Sequence, residues 1–275
     1  MPLGLMPYGP AKAGKSRLGA SSWWDFKEKV VRRKGLHIVV GLESLEHLGV
    51  PRAEKFGDVG YVRLAINVDK PTSIFDTSRK LLRDIYRAAK AGSGYDVIVL
   101  DGISEFDLQE QRYMREGEGE LDMKQYMTLL AGFFDSLQYV HPEETGAHLI
   151  VTARVKERRK AIKGSSGKTF VEEDKNPQIA DFDYYPAITG AFGHNVPHYF
   201  QIVGYMETVR ESKLVGGLKR PVEKRRLHIV TAGDFFTANA YSHVWVERGH
   251  PPYLDDVEFD DVLNMTKSGE KGGEE

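Results

Sequence analysis

The chain has 275 residues, with 38 Lys and Arg against 40 Asp and Glu, for a formal net charge of −2. That balance excludes a globally basic nucleic-acid binder, so any surface for a polyanion must come from local clusters. The absence of cysteine excludes disulfides, cysteine-held metals and thiol catalysis.

The length suits one large domain with a small appendage, divided here as residues 1–245 and an acidic, partly disordered tail over 246–275. No apolar run approaches the length of a membrane span, and a strand with its loop occupies the first residues, where a signal peptide would lie. The expectation is a soluble cytoplasmic protein (host cytoplasm if the chain is viral) with no membrane partner.

In chain order, the apolar run Leu3-Gly4-Leu5-Met6 predicts a buried strand. It leads into Gly9-Pro10-Ala11-Lys12-Ala13-Gly14-Lys15-Ser16, which matches G-x-x-x-x-G-K-[ST]. The glycines let the loop curl so that backbone N–H groups face phosphate oxygens, and the helix that follows adds its positive end. Lys15 reaches the β- and γ-phosphates, the Ser16 hydroxyl ligates Mg²⁺, and Arg17 closes the nucleotide-binding stretch. A helix is expected from Arg17 to Val31, with Leu18, Trp23, Phe26 and Val30 on its apolar face.

Leu36-His37-Ile38-Val39-Val40 predicts a second buried strand. Glu43, just past its carboxyl end, stands where open α/β sheets place their chemistry, and is the candidate to orient the attacking water; Glu46 is the second candidate. A short strand over Tyr61–Ile66 and a helix over Thr77–Ala89 follow. Tyr95 to Gly102 then forms an apolar strand ending in Asp101, the Walker B pattern, which delivers a carboxylate to hold Mg²⁺ through water.

Residues 105–120 lack an apolar period and predict a mobile loop. Leu121–Tyr139 predicts an amphipathic helix, and Ala147–Arg154 another buried strand. Thr152 or Arg154 at its end is placed to sense a γ-phosphate; a surface ion pair is the other reading of Arg154. The basic, Gly- and Ser-rich stretch with Lys156, Arg158, Arg159, Lys160, Lys163 and Lys168 is the electrostatic candidate for a phosphate backbone, against a plain solvated loop. His194 and His198 flank Pro197 and lack a completing ligand, so they are read as structural. Tyr199–Met206 and Arg225–Thr231 predict a hairpin with a turn over Lys213–Pro221.

By the order of these motifs the chain resembles the RecA-like ATPase core over residues 1–245. More narrowly it resembles the phage-type RecA-like ATP-binding proteins, the Sak-type single-strand annealing and recombination ATPases. The likeness is carried by the two Walker motifs, Leu42 to His47 and Thr152-Ala153-Arg154, and its narrower form by the segment from Pro186 through Val203-Gly204-Tyr205.

The resemblance implies an α/β fold, a P-loop NTPase core with a central, mostly parallel sheet flanked by helices and a C-terminal β-hairpin extension. It implies an ATP- and Mg²⁺-dependent ATPase that assembles on single-stranded DNA, with Glu43, Lys15 and Arg154 catalytic. Residues 105–120, carrying Arg112 and Arg115, and 156–175 would be its two DNA-binding loops. ATP would lie between subunits of a homo-oligomeric ring or filament, and a single-strand DNA-binding protein would be a further partner. Relatives carry a Lys/Arg pair near the last strands, where this chain has Thr237 to Ser242; Arg248 or Lys224 would replace the cation from the neighbour. A P-loop kinase, a nucleotide-gated non-hydrolysing adaptor and a viral packaging or helicase motor are the alternatives.

Overall fold

A computed structural model describes residues 1–41, 45–66, 71–115, 121–157, 184–188, 199–215, 218–230, 236–247, 249 and 251–267. Its centre is a run of parallel strands. These are β1 (Gly4–Gly9), β4 (Gly35–Val40), β5 (Gly60–Leu64), β6 (Val97–Asp101), β7 (His148–Glu157) and β9 (Ile202–Val215), in spatial order β9-β1-β7-β6-β4-β5. The strand ending in Asp101 is therefore separated from the P-loop strand by β7 alone. All six deliver their carboxyl ends to one edge, the edge where ligands bind in open α/β sheets.

Both faces of these strands are covered along their central stretches, which are mostly apolar and sort their side chains by the two-residue alternation. Met6 and Tyr8, Ile38 and Val40, Ile98 and Leu100, and Leu149 and Val151 face one core with α2 (Ile74–Lys90), α3 (Ile103–Met114) and α4 (Met123–Gln138). Leu3, Leu5, Val39, Val97, Val99 and Ile150 face the other, with α1 (Lys15–Ser21). This is the α/β arrangement, a mostly parallel sheet flanked by helices, expected from the order of motifs.

Three local expectations are corrected. The helix after the P-loop ends at Ser21 rather than Val31. The Ser21 and Ser22 hydroxyls turn back onto the Leu18 and Gly19 carbonyls, and Asp25 Oδ1 accepts from the Lys27 and Glu28 amides. These side chains offer the backbone a turn instead of a further helical bond. Trp24–Asp25 (β2) and Val30–Val31 (β3) then pair as a small antiparallel ribbon.

Residues 103–114 form α3, not a mobile loop. Its period was hidden because polar side chains occupy inward positions: Gln109 and Glu110 are buried alongside Phe106. Glu110 Oε2 accepts from the Ile74 and Phe75 amides at 2.8 and 3.4 Å, so it caps α2 from another helix. Burial raises the Glu110 carboxyl above its usual range, and these amide bonds offset part of that cost.

The late hairpin is longer than expected. β9 runs to Val215 and β10 (Leu218–His228) returns beside it, with Lys213 opposite Arg220 and Pro221 opposite Ser212. Pro221 reads as a strand breaker in sequence. Here it stands beyond β12 (Tyr253–Asp255), which pairs only with Arg226, Leu227 and His228, so on that side its missing N–H costs no ladder bond. Tyr184–Pro186 (β8) pairs β7, and Ala238–Asn239 (β11) pairs β9. Two short helices, α5 (Pro142–Thr145) and α6 (Ser242–Glu247), complete the connections. The acidic end of the described chain joins the body: α7 (Phe259–Lys267) buries Phe259 and Val262 in the core that holds Leu18 and Trp23.

β12 is tied to the hairpin by charge. Asp255 accepts from Arg226 at 2.7 Å and from Lys224 at 3.1 Å. The Arg226 bond, with Lys224 behind it, holds the Asp255 carboxyl down at about 2 against an ordinary 3.8. A depressed carboxyl adds stability above its unfolded value and loses it as pH falls through the folded one. Asp255→Asn is therefore expected to lower Tm at neutral pH by roughly 2–4 °C, the size of about 1 kcal/mol in a chain of this length after discounting for solvent exposure. Thermal unfolding followed by circular dichroism should show the difference from wild type shrinking between about pH 4 and pH 2; a constant difference would contradict the linkage.

Candidate nucleotide site

The P-loop connects β1 to α1 at the carboxyl edge. Its curl needs two left-handed residues, Lys12 (φ 65°) and Gly14 (φ 97°). Gly14 caps α1 without any side-chain bond. Lys15 Nζ donates to the Gly9 and Pro10 carbonyls at 3.0 and 2.6 Å. Those carbonyls belong to the loop itself, and a phosphate oxygen entering the curl competes with them on better terms, because it is charged.

Asp101 ends β6 nearly buried, 6% exposed. Three side chains from three elements converge on it. His37 Nε2, from the middle of β4, lies 3.1 Å from Oδ2. Thr152 Oγ1, from β7, donates to Oδ1 at 2.5 Å and accepts from the Gly102 amide at 2.9 Å. The Ser16 hydroxyl stands close enough to help stabilise its charge. Burial pushes this carboxyl up, but His37, Thr152 and Ser16 outweigh it and hold Asp101 below the ordinary carboxylate value. It is ionised at neutral pH. Because an ionised carboxylate only accepts, the His37 proton belongs on Nε2; Nδ1 is buried with no partner among the described residues.

This donor set fits Mg²⁺. Ser16 and Asp101 supply hard oxygen ligands from neighbouring positions, and Mg²⁺ in phosphate sites takes one or two protein oxygens with the rest from phosphate and water. Among the described residues no group of three or more His, Cys, Asp or Glu is arranged to hold a metal by itself.

Thr152 and Arg154 stand where the sequence predicts, on β7 beside the loop, with Arg154 in register with Gly9. Arg154 Nη2 forms an ion pair with Glu105 Oε1. Glu105, in the first turn of α3, also lies near Gly41 at the end of β4: its Cγ is 3.9 Å from where a Gly41 Cβ would be. Glu43 lies outside the described residues. Glu46, in a 3₁₀ turn, is exposed and accepts from the Tyr61 hydroxyl at 3.0 Å.

Of the basic candidates, Lys156 stands near the end of β7 with its ammonium 5.7 Å from the Tyr185 ring. Arg154 and Lys156 share the rim of an open groove of about 700 Å³ with Tyr126, Met127 and Gln111; Met123 and Met127 on α4 are exposed there. Arg112 and Arg115 sit at the end of α3, a helix where a loop was expected, and do not line that groove. Arg158, Arg159, Lys160, Lys163, Lys168, Arg248, His194 and His198 lie outside the described residues. Lys224 is engaged by Glu211 at 2.8 Å and Asp255 at 3.1 Å.

Two participants escaped the sequence reading. His37 had a signal, a lone polar residue in an otherwise apolar buried strand. Glu105 had a weaker one, a carboxylate four residues past Asp101 where a helix follows the strand.

No protein-family model matches the chain, and no curated protein matches it. Among solved structures it is similar to the flagellar accessory protein FlaH from Methanocaldococcus jannaschii, at 13% identity and TM-score 0.45, covering 92% of this chain and 84% of that one. Among the described residues, no helix is long and apolar enough to cross a membrane.

Proposed function

We propose that this chain is a RecA-like ATPase of the phage Sak type, which binds ATP with Mg²⁺ and couples it to homo-oligomeric assembly on single-stranded DNA. The observation that carries the nucleotide half is the ionised, buried Asp101 beside the P-loop Ser16, with Lys15 bonded to carbonyls of its own loop. The phosphates would replace those carbonyls on Lys15, and the loop amides would hold the remaining oxygens. Mg²⁺, when bound, spreads the charge of the transferred phosphoryl group. Thr152 and His37 keep Asp101 oriented and charged, so the site needs no rearrangement as charge moves. Glu43 is the candidate to position the water, with Glu105 the second. Arg154, paired with Glu105 beside Gly9, is placed to exchange that partner for a γ-phosphate oxygen.

The DNA half is supported by the groove beside this site. Arg154 and Lys156 face the exposed Tyr126, Met123 and Met127, a combination of cations for a backbone and flat or pliable apolar side chains for unstacked bases. The basic run that follows Lys156 in sequence extends it. The test is ATP hydrolysis with and without single-stranded DNA, with Lys15→Ala as control. Stimulation by DNA that vanishes in the variant is the expected result. A rate indifferent to DNA, with no DNA binding by the ATP-loaded protein, would overturn the DNA half and bring the kinase or adaptor forward.

A further inference from the structure

The last glycine of the phosphate loop is covered by the chain's own hairpin. A Cβ on Gly14 would lie 2.3 Å from Arg225 Cδ and 2.9 Å from Arg225 Nε, so the arginine stem rests directly on the loop backbone, where no side chain fits. The position of Arg225 is set by its main chain. Its N–H donates to Asp256 Oδ1 at 3.0 Å and its carbonyl accepts from the Asp256 amide at 2.6 Å. Asp256 makes this two-point clamp from a left-handed conformation, φ 50°, unusual for a residue with a side chain.

The strand alternation separates Arg225 from its neighbours. Lys224 and Arg226 are neutralised by Glu211 and Asp255. Arg225 is exposed, and among the described residues no carboxylate pairs with its guanidinium. Below it lies a cavity of about 230 Å³ between Gly14, Arg17 and Leu18 on one side and Met206, Arg225 and Val257 on the other. The two carboxylates at its edge are already engaged, Asp256 with the Arg225 amide and Glu258 with Arg32 at 3.0 Å. An uncompensated guanidinium fixed against a phosphate loop is arranged for an anion, and its fork matches phosphate oxygens.

We propose that Arg225 binds the phosphates of a nucleoside polyphosphate held by the P-loop of its own chain, with the nucleoside end in the adjoining cavity. The inference rests on the nucleotide-site reading above and adds to it a cation acting in cis, where the resemblance implied one supplied by a neighbouring subunit.

The test measures ATP binding in the presence of Mg²⁺, by calorimetry on the full chain, for wild type, Arg225→Gln, Arg225→Lys and Lys15→Ala. Arg225→Gln should weaken binding about 10- to 100-fold, the worth of a charged hydrogen bond. Arg225→Lys should fall between, and the Tm of both should match wild type, because the side chain is exposed. Turnover by an equimolar mixture of Lys15→Ala and Arg225→Gln separates cis from trans: a cis residue gives no recovery, and recovery would overturn the proposal. Binding by Arg225→Gln within twofold of wild type, while Lys15→Ala is crippled, would also overturn it and leave the nucleotide site standing. Failure of the wild-type chain to bind ATP would remove the site and the proposal together.

Discussion

Asp101→Asn is expected to lower ATP turnover by about 10²–10³-fold while the chain remains folded. The estimate is the cost of removing one preorganised electrostatic contact from a water-poor site. Asparagine keeps the shape, so Oδ1 still accepts from Thr152, and the amide can donate to His37 once its proton moves to Nδ1, which has no competing partner among the described residues. What is lost is the charge. That charge is expensive to bury, and three side chains from β4, β7 and α1 hold it there; in a purely structural role a neutral residue would serve as well. The check is turnover against Mg²⁺ concentration, together with thermal unfolding. Wild-type turnover in the variant would remove Asp101 from the mechanism. A collapse of Tm with no soluble protein would instead assign the cluster to stability.

Gly9→Ala is expected to destabilise the chain by about 3 kcal/mol or more and to abolish nucleotide binding. The added Cβ would lie 2.0 Å from the Met206 carbonyl oxygen and 3.0 Å from its carbon. Met206 is not free to move. It lies in β9, is paired with Leu227 of β10, and its neighbour Tyr205 pairs with Tyr8. The strain must therefore be taken by the loop entry, the backbone that places the Gly9 carbonyl against Lys15. Gly92→Ala is the control: nothing lies within 4 Å there, but φ is 73°, so about 1 kcal/mol of backbone strain alone is expected. Chemical denaturation of the two variants separates the effects. Equal losses would show that contact with Met206 carries no special cost.

The hairpin shows why some of this escaped the sequence. Its strands were visible as apolar runs near Tyr205 and Leu227, where both faces are covered. Beyond them the pattern is dominated by charge, and Pro221 mimics a break. Only the register, Lys213 opposite Arg220 and Arg225 opposite Thr208, reveals one continuous ribbon. Helix α3 was missed for the opposite reason. Its Gln109 and Glu110 read as surface residues, but Glu110 is turned inward to satisfy the first amides of α2, and such a polar contact leaves no periodic trace.

The sequence by itself determined the parts whose physics is local. A P-loop is a contiguous backbone curl, a doubly covered strand is apolar at most positions, and an aspartate at such a strand's end emerges at the sheet edge; each is written within a few neighbouring residues. The tertiary structure alone decided which distant groups complete the site. It set His37 behind Asp101 across 64 residues, Glu105 against Arg154, and Arg225 over Gly14. These meetings depend on strand order and register, which are set by how the whole sheet closes over its two cores, and neither composition nor spacing along the chain encodes them.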